Sequence, residues 1–305
     1  MNSKLVIGLF ALPLTLSFGC GGGGGDTGEV TKVDGTNNSK YVISQLTLPK
    51  NSMSAAFDLD GDGTADNRLG NIIQAVSALS LDPQSAATTA VSSGSLVVLF
   101  SETSTDSTQQ SATHAGVVLN VGAKAAAAPK FDGTDTLTID TATAPAQFYG
   151  NIVAGTFTSN NPSVTASPVQ LTIALPLVEG QAALQLPVTG GYITFHRGAD
   201  GKVTGGQING AIKKQDVDTV IIPAVAALIT AQLQAPGASA SLKMFDTDMN
   251  GTVTAAEIMG NALISNFLAP DVQMFQNGVY KPNPAKTTKD SLSLGFSFNA
   301  VAATY

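Results

Sequence analysis

The alternation of apolar and polar residues along this chain predicts a protein built mainly from β-strands. The stretch KYVISQLTL at residues 40–48 alternates in this way and predicts a first strand. Between residues 95 and 212, turn-forming residues separate further short stretches of this kind: SLVVLF, AGVVLNVG, DTLTID, FYGNIVAGTFT, VQLTIALPL, AALQLPV, GYITFHR and KVTGGQINGAI. Residues 290–305 alternate again and predict a last strand. This regular spacing indicates an antiparallel β-sandwich or an open barrel.

Apolar residues at helical spacing predict helices on either side of this centre. Residues 68–79 and 83–92 predict two helices, the second with Asp82 as its N-cap. Residues 218–234 are apolar on nearly all sides, but their uninterrupted apolar part is shorter than a membrane span, so we expect a buried core helix. Residues 238–245 and 254–269 predict two more helices. The fold class is therefore α+β, with helices flanking the central strands.

The N-terminal residues predict export from the cytoplasm. Lys4 precedes the apolar run LVIGLFALPLTLSFG, which ends at Cys20, the only cysteine of the chain. LSFGC resembles the lipobox of bacterial lipoproteins, in which the cysteine becomes lipid-modified and is the first mature residue. Ser17 departs from that pattern, because the family prefers leucine there. The resemblance implies a signal peptide at 1–19 and a lipid anchor at Cys20, whereas the alternative is an ordinary secretory signal with an incidental cysteine.

The residues after Cys20 predict a flexible tether followed by one domain. GGGGGD and the polar residues up to 39 contain no apolar periodicity, and a glycine run favours no folded element. We therefore expect a tether at 20–39 and a single β-rich domain at 40–305. A glycine after the cysteine, in place of aspartate, resembles lipoproteins sorted to the outer membrane. The implied location is the cell envelope, with the membrane as a partner through the lipid anchor.

Composition and charge support an extracytoplasmic protein and exclude one class of partner. Only 12% of the residues are charged, and 31 are glycine, a mixture typical of secreted proteins rich in strands and turns. The formal charge is −7, and the sequence contains no basic stripe with interleaved aromatic residues. Nucleic-acid binding is therefore not expected.

The stretch FDTDMNGTVTAAEI carries an oxygen-bearing side chain at every second position, beginning at Asp246. It resembles the loop of EF-hands, the helix-loop-helix calcium sites in which such oxygens surround the ion and a glycine makes the central turn, here Gly251. The resemblance implies an EF-hand segment at about 238–268 that binds Ca²⁺. The implied ligands are Asp246, Asp248, Asn250, Thr252 through its carbonyl, Thr254 through water and Glu257 through both carboxylate oxygens. The alternative is a capped turn before a helix.

A second acidic stretch, FDLDGDGTADN, repeats most of this pattern nearer the N-terminus. Its candidate ligands are Asp58, Asp60, Asp62, Thr64 and Asp66. Leu69 stands where an EF-hand has its final glutamate, so the stretch resembles the wider group of DxDxDG loops, which complete their shell with another residue or with water. Four carboxylates so close together repel one another without a cation, and we expect Ca²⁺ here as well. An Asx-rich surface turn is the alternative.

No pattern in the sequence predicts a catalytic residue. Neither His114 nor His196 has an acid and a nucleophile at a recognisable spacing. Together the lipobox, tether, strands and cation loops resemble calcium-motif lipoproteins of Gram-negative bacteria, and this resemblance implies no particular activity. We expect a calcium-binding, lipid-anchored cell-envelope protein with a structural or ligand-binding role, its protein or glycan ligand being undetermined. The alternatives are a secreted or surface hydrolase with structural calcium and a calcium sensor.

Overall fold

The computed structural model describes residues 30–78, 81–235, 240–285 and 288–305, and its centre is a closed antiparallel β-barrel. Eight strands follow one another around the barrel in the order β5-β4-β3-β2-β1-β11-β8-β7, and pairing of β5 with β7 closes it. β6 pairs with β7 as an additional strand, and β9 and β10 form a separate hairpin. The strands are β1 Asn37–Thr47, β2 Val97–Ser104, β3 Ser111–Gly122, β4 Ala146–Val153, β5 Thr156–Ser159, β6 Gln170–Leu175, β7 Leu184–Arg197, β8 Val203–Lys213, β9 Phe275–Gln276, β10 Val279–Tyr280 and β11 Ser291–Ala302.

The described helices lie in two parts of the chain, between β1 and β2 and between β8 and β9. They are α1 Arg68–Ala78, α2 Pro83–Ser92, α3 Lys214–Asp216, α4 Ile222–Gln234, α5 Ala255–Gly260 and α6 Ala262–Phe267. A π-helical turn, Val217–Ile221, joins α3 to α4, and a 3₁₀ turn, Leu242–Phe245, precedes α5. The prediction for α2 is confirmed, because the Asp82 carboxylate accepts a hydrogen bond from the Ser85 amide at 2.9 Å and Pro83 begins the helix.

The interior of the barrel is a packed apolar core. Along β11, Leu292, Leu294, Phe296 and Phe298 belong to this core. Ser293 points away from the core and donates to Asp271 on the outer side of the barrel wall. Aromatic rings meet near the centre, where the Phe100 centroid lies 5.2 Å from that of Phe195 and 5.8 Å from that of Phe298. Side chains therefore fill the lumen, as expected for a barrel of this strand number.

Closure corrects two expectations about the sheet. The predicted open barrel is closed, and the predicted strand at 135–140 forms only isolated bridges, Gly122 with Ile139 and Thr136 with Thr304. The second difference follows from closure, because β3 already pairs with β2 and β4, so residues 135–140 reach only its last residue, Gly122. Residues 135–140 instead lie across the outside, where Leu137 and Ile139 cover Leu99.

Three of the predicted strands of the centre are joined or divided differently in the structure. AALQLPV and GYITFHR form one strand, β7, with an irregularity between Thr189 and Tyr192 where Gly190 has a φ of +69°. FYGNIVAGTFT divides into β4 and β5 at a turn formed by Ala154 and Gly155, both with positive φ.

The apolar helix at 218–234 is only half buried, so the prediction of a buried core helix is wrong for its outer face. Ile222, Ala226 and Ile229 pack inward, whereas Val220 is 40% exposed. By length and composition alone, the helical stretch Lys214–Gln234 is apolar enough to cross a membrane.

The N-terminal predictions fall mostly outside the described residues. The signal peptide at 1–19, Cys20 and the first half of the tether lie there. The described part of the predicted tether is more ordered than expected, since the Val30 amide donates to the Asn160 side chain at 3.3 Å and β1 already begins at Asn37.

Candidate metal sites

The first acidic loop turns back on itself and brings four carboxylates together. Phe57 and Asp66 exchange backbone hydrogen bonds of 3.2 and 3.0 Å, which close the loop. Within it, the Asp58 carboxylate accepts hydrogen bonds from the amides of Gly61, Asp62 and Gly63 at 2.9 to 3.0 Å. The positive φ angles of the two glycines, +81° and +83°, allow this tight turn. One oxygen from each of Asp58, Asp60, Asp62 and Asp66 lies within 4.8 Å of the others.

Asp60 is the most deeply buried member of this group, with 0% exposure. Its Oδ2 atom accepts a hydrogen bond of 3.3 Å from the Gln273 amide and lies 3.4 Å from the Lys289 ammonium. Its Oδ1 atom is also buried, and no described residue gives it a hydrogen bond. A buried carboxylate oxygen without a partner is unfavourable, and a bound cation would supply that partner.

The charge around Asp66 is poorly balanced by the protein. Burial raises the pKa of Asp66 to about 7, helped by the negative charges of Asp271 and Asp60 and opposed by Lys289. The Asp66 Oδ2 atom is buried, and no described residue donates to it. These are properties of a site that would bind a cation in exchange for a proton.

Asp271 and Lys289 belong to the surroundings of this loop although the sequence analysis did not select them. Asp271 is half-buried, its pKa is raised by desolvation, and it accepts hydrogen bonds from the Ser293 amide at 2.8 Å and from the Ser293 hydroxyl. Leu69, which replaces the EF-hand glutamate, is buried in the core at 4% exposure. A further carboxylate near the cluster comes from a distant part of the chain, because Asp271 adds negative charge beside Asp66. Nothing in the spacing of the loop could have identified it.

Thr64 contributes to the first loop through its backbone. Its amide donates to the Asp62 Oδ1 atom at 2.7 Å, and the residue is exposed. The four aspartates predicted from the spacing thus lie together.

The second loop also gathers its acidic residues, but at the surface. Oxygens of Asp246, Asp248 and Glu257 lie within 4.8 Å of one another. The Asp246 carboxylate accepts from the amides of Asn250 at 3.0 Å and Gly251 at 2.8 Å. Gly251, at the central position of the motif, has a φ of +81°, as the EF-hand resemblance implies.

Glu257 is held by hydrogen bonds from its own loop. Its Oε1 atom accepts from the Thr247 amide at 2.7 Å, and its Oε2 atom accepts from the Thr254 amide at 2.8 Å. Hydrogen bonds from the backbone of Thr254 and the side chains of Thr247 and Thr254 lower the Glu257 pKa to about 2. Thr254 in turn caps α5, because its hydroxyl accepts from the Glu257 amide. These contacts are those of the capped turn that was the alternative to a calcium loop.

The two loops therefore differ in how far the protein satisfies their oxygens. Both carboxylate oxygens of Asp246, Asp248 and Glu257 accept hydrogen bonds from the protein, and Asn250 Oδ1 accepts from the Thr252 amide. In the first loop, buried oxygens of Asp60 and Asp66 lack such donors among the described residues. The first loop thus has the stronger structural indication of a cation, although its sequence is the less complete motif.

The helices around the second loop are shorter than the predicted EF-hand segment. The 3₁₀ turn Leu242–Phe245 precedes it, and the predicted exit helix divides into α5 and α6 at Asn261, whose ψ is 111°. Gly260 and Asn261 are both poor helix formers, which accounts for the break. The loop also contacts α4, because the Val253 amide donates to the Thr230 hydroxyl at 2.8 Å.

Neither histidine is part of a catalytic arrangement among the described residues. His114 Nδ1 lies 2.8 Å from an Asp34 carboxylate oxygen, and His196 Nδ1 lies 3.2 Å from the Thr156 hydroxyl. The two histidines and their partners are half-buried or exposed.

Comparison of this chain with protein-family models, with curated proteins and with solved structures finds no match.

Proposed function

We propose that the protein binds a structural Ca²⁺ ion in the Asp58–Asp66 loop. The observation that carries this proposal is the buried Asp60 carboxylate, whose Oδ1 atom has no donor among the described residues and has three other carboxylates beside it. The ion would bridge a loop on the outside of the barrel to the segment that contains Gln273 and Lys289. It would act by fixing these elements to each other.

The donor set favours Ca²⁺ over other common ions. All the candidate ligands are oxygens, and the clusters contain neither histidine nor cysteine, which zinc would prefer. Ca²⁺ accepts irregular shells of six to eight oxygens, whereas Mg²⁺ demands near-ideal octahedral geometry. A shell built from one irregular loop and a distant segment suits the larger ion.

The Asp246–Glu257 loop is proposed as a second and weaker Ca²⁺ site. Its support is the EF-hand spacing and the convergence of Asp246, Asp248 and Glu257. Because the protein already donates hydrogen bonds to these oxygens, an ion would gain less here than in the first loop.

We further propose that the protein is a lipoprotein of the cell envelope, anchored through Cys20, with a structural or ligand-binding role. Extracellular calcium modules bind at roughly 10⁻⁴ to 10⁻³ M, so sites of this kind outside the inner membrane would stay occupied and would not signal. The support for the anchor is the LSFGC sequence and the glycine run that follows it. Cys20→Ser should move the protein from the membrane fraction to the soluble fraction, and unchanged membrane recovery would reject the anchor.

Thermal unfolding with Ca²⁺ or chelator tests the first site. An ion at about 100 times its dissociation constant adds about 2.7 kcal/mol of stability, which corresponds to a rise in Tm of about 4 to 5 °C for a chain of this size. Asp60→Asn should remove more than half of that rise. In chelator the variant should be no less stable, since it has one fewer carboxylate to repel its neighbours.

Asp200→Asn is the matched control for this experiment, because Asp200 lies in an exposed turn far from both loops in the sequence. It should keep the full response to Ca²⁺. A wild-type Tm that does not differ between Ca²⁺ and chelator would reject the proposal.

A further inference from the structure

A cavity of about 380 Å³ opens on the side of the barrel, between β4, the segment at 160–169 and β7. Its size falls in the range of small-molecule sites, roughly 300 to 1,000 Å³. Most of its surface is apolar, with a minority of polar groups, which is the usual composition of a ligand pocket.

Two glycines of β7 shape the floor of this cavity. A Cβ atom on Gly191 would lie 2.8 Å from a Leu171 methyl and 3.2 Å from the Phe148 ring, so these side chains pack directly on the backbone there. A Cβ atom on Gly190 would lie 2.8 Å from the Tyr280 hydroxyl oxygen. The glycine pair therefore lets an aromatic ring pack directly against the strand.

The walls present aromatic rings and neutral polar groups. Tyr280 is fixed in place, because its hydroxyl donates to the Pro162 carbonyl at 2.9 Å. Tyr149 contributes a second ring. The side chains of Gln147, Tyr149 and Ser167 make no hydrogen bond to the part of the chain that the structure describes, so they are available to a ligand.

Among the described residues, no charged side chain lines the cavity. A charged ligand would lose its hydration there without gaining an ion partner. A sugar ring has the opposite requirements, since its C–H face packs on an aromatic ring and its hydroxyls both donate and accept hydrogen bonds. We infer that this cavity binds a neutral saccharide.

The cavity is also connected to the first acidic loop. A Cβ atom on Gly61 would lie 3.1 Å from Ser163, which stands in the segment that walls the cavity. Tyr280 packs against the apolar cluster outside the barrel that contains Leu59. In the sequence, Leu59 stands between Asp58 and Asp60. An ion in that loop would therefore support the wall, and the inference rests on the ligand-binding role proposed above.

Calorimetric titration of the full-length protein in saturating Ca²⁺ tests this inference with three probes. Maltohexaose represents neutral glucans, chitohexaose represents neutral N-acetylated wall-type sugars, and hexagalacturonate represents anionic sugars. At least one neutral probe should bind, and hexagalacturonate should bind at least tenfold more weakly. The better of the two neutral probes identifies the source of the sugar.

Ser167→Trp places a bulky ring in the mouth of the cavity and should weaken binding of the neutral probe at least tenfold. Ser107→Trp, at an exposed position outside the cavity, is the matched control and should bind as the wild type does. Absence of binding to both neutral probes, tighter binding of the anionic probe, or equal binding by Ser167→Trp would overturn the inference. Ca²⁺ titration of the same variants should be unchanged, which separates failure of the saccharide site from failure of the calcium sites.

Discussion

Glu102 is a buried carboxyl group that neither acidic loop explains. It lies inside one end of the barrel with 1% exposure, near Arg197. With the Gln109 amide turned so that its nitrogen faces Glu102, that nitrogen donates to Oε2 at 2.6 Å. Arg197 donates to the Tyr41 hydroxyl at 3.3 Å and to the Thr108 carbonyl. Glu102, Gln109, Arg197 and Tyr41 therefore form a buried polar cluster next to the apolar core.

The buried Glu102 carboxyl in this polar cluster predicts that the free energy of unfolding depends on pH. Burial raises the Glu102 pKa from 4.5 to about 7, with Arg197 opposing the shift. The folded protein therefore keeps a proton that the unfolded chain releases between these pH values, so stability falls as the pH rises through this window. Glu102→Gln cannot ionise and should gain about 2 kcal/mol over the wild type between pH 5 and pH 8, measured by urea unfolding in Ca²⁺.

Glu179→Gln, at an exposed position, is the control and should follow the wild type at both pH values. A difference between Glu102→Gln and the wild type that stays constant from pH 5 to pH 8 would show that Glu102 does not titrate in this window.

At the scale of single residues, the spacing of a loop predicts only those ligands that the loop itself supplies. Asp58, Asp60, Asp62 and Asp66 converge as their alternation suggested, because glycines at two positions allow the turn. The burial of Asp60 depends on Gln273 and Lys289, which the chain brings from more than two hundred residues away. The motif is therefore more complete in the Asp246–Glu257 loop, whereas the buried oxygens without donors belong to the Asp58–Asp66 loop.

At the scale of elements, local signals predicted those helices and strands whose ends the chain itself marks. Asp82 and Pro83 mark the start of α2, and its bounds are as predicted. The stretch at 135–140 alternates like a strand but finds no free edge, and the exit helix of the second loop divides at Asn261. In these cases the deciding factor is the partner, or a weak helix position, and not the apolar pattern.

At the scale of the whole molecule, alternation predicted antiparallel strands but could not decide between an open and a closed sheet. Closure depends on β5, a strand of four residues, in which Phe157 pairs with Phe195 of β7 and stacks on it with centroids 5.4 Å apart. No local pattern contains that pairing. The first acidic loop covers part of the outer face of β8, because Leu59 of the loop packs in one cluster with Ala211 of that strand.

The first acidic loop covers part of the barrel wall. We propose that a bound Ca²⁺ ion holds the loop there. Calorimetric titration with Ca²⁺ of the wild type, Asp60→Asn and Glu257→Gln tests it most directly. We expect two sites in the wild type, loss of the tighter one in Asp60→Asn, and loss of the weaker one in Glu257→Gln. A wild type without binding heat, or an Asp60→Asn isotherm that superimposes on that of the wild type, would contradict the account.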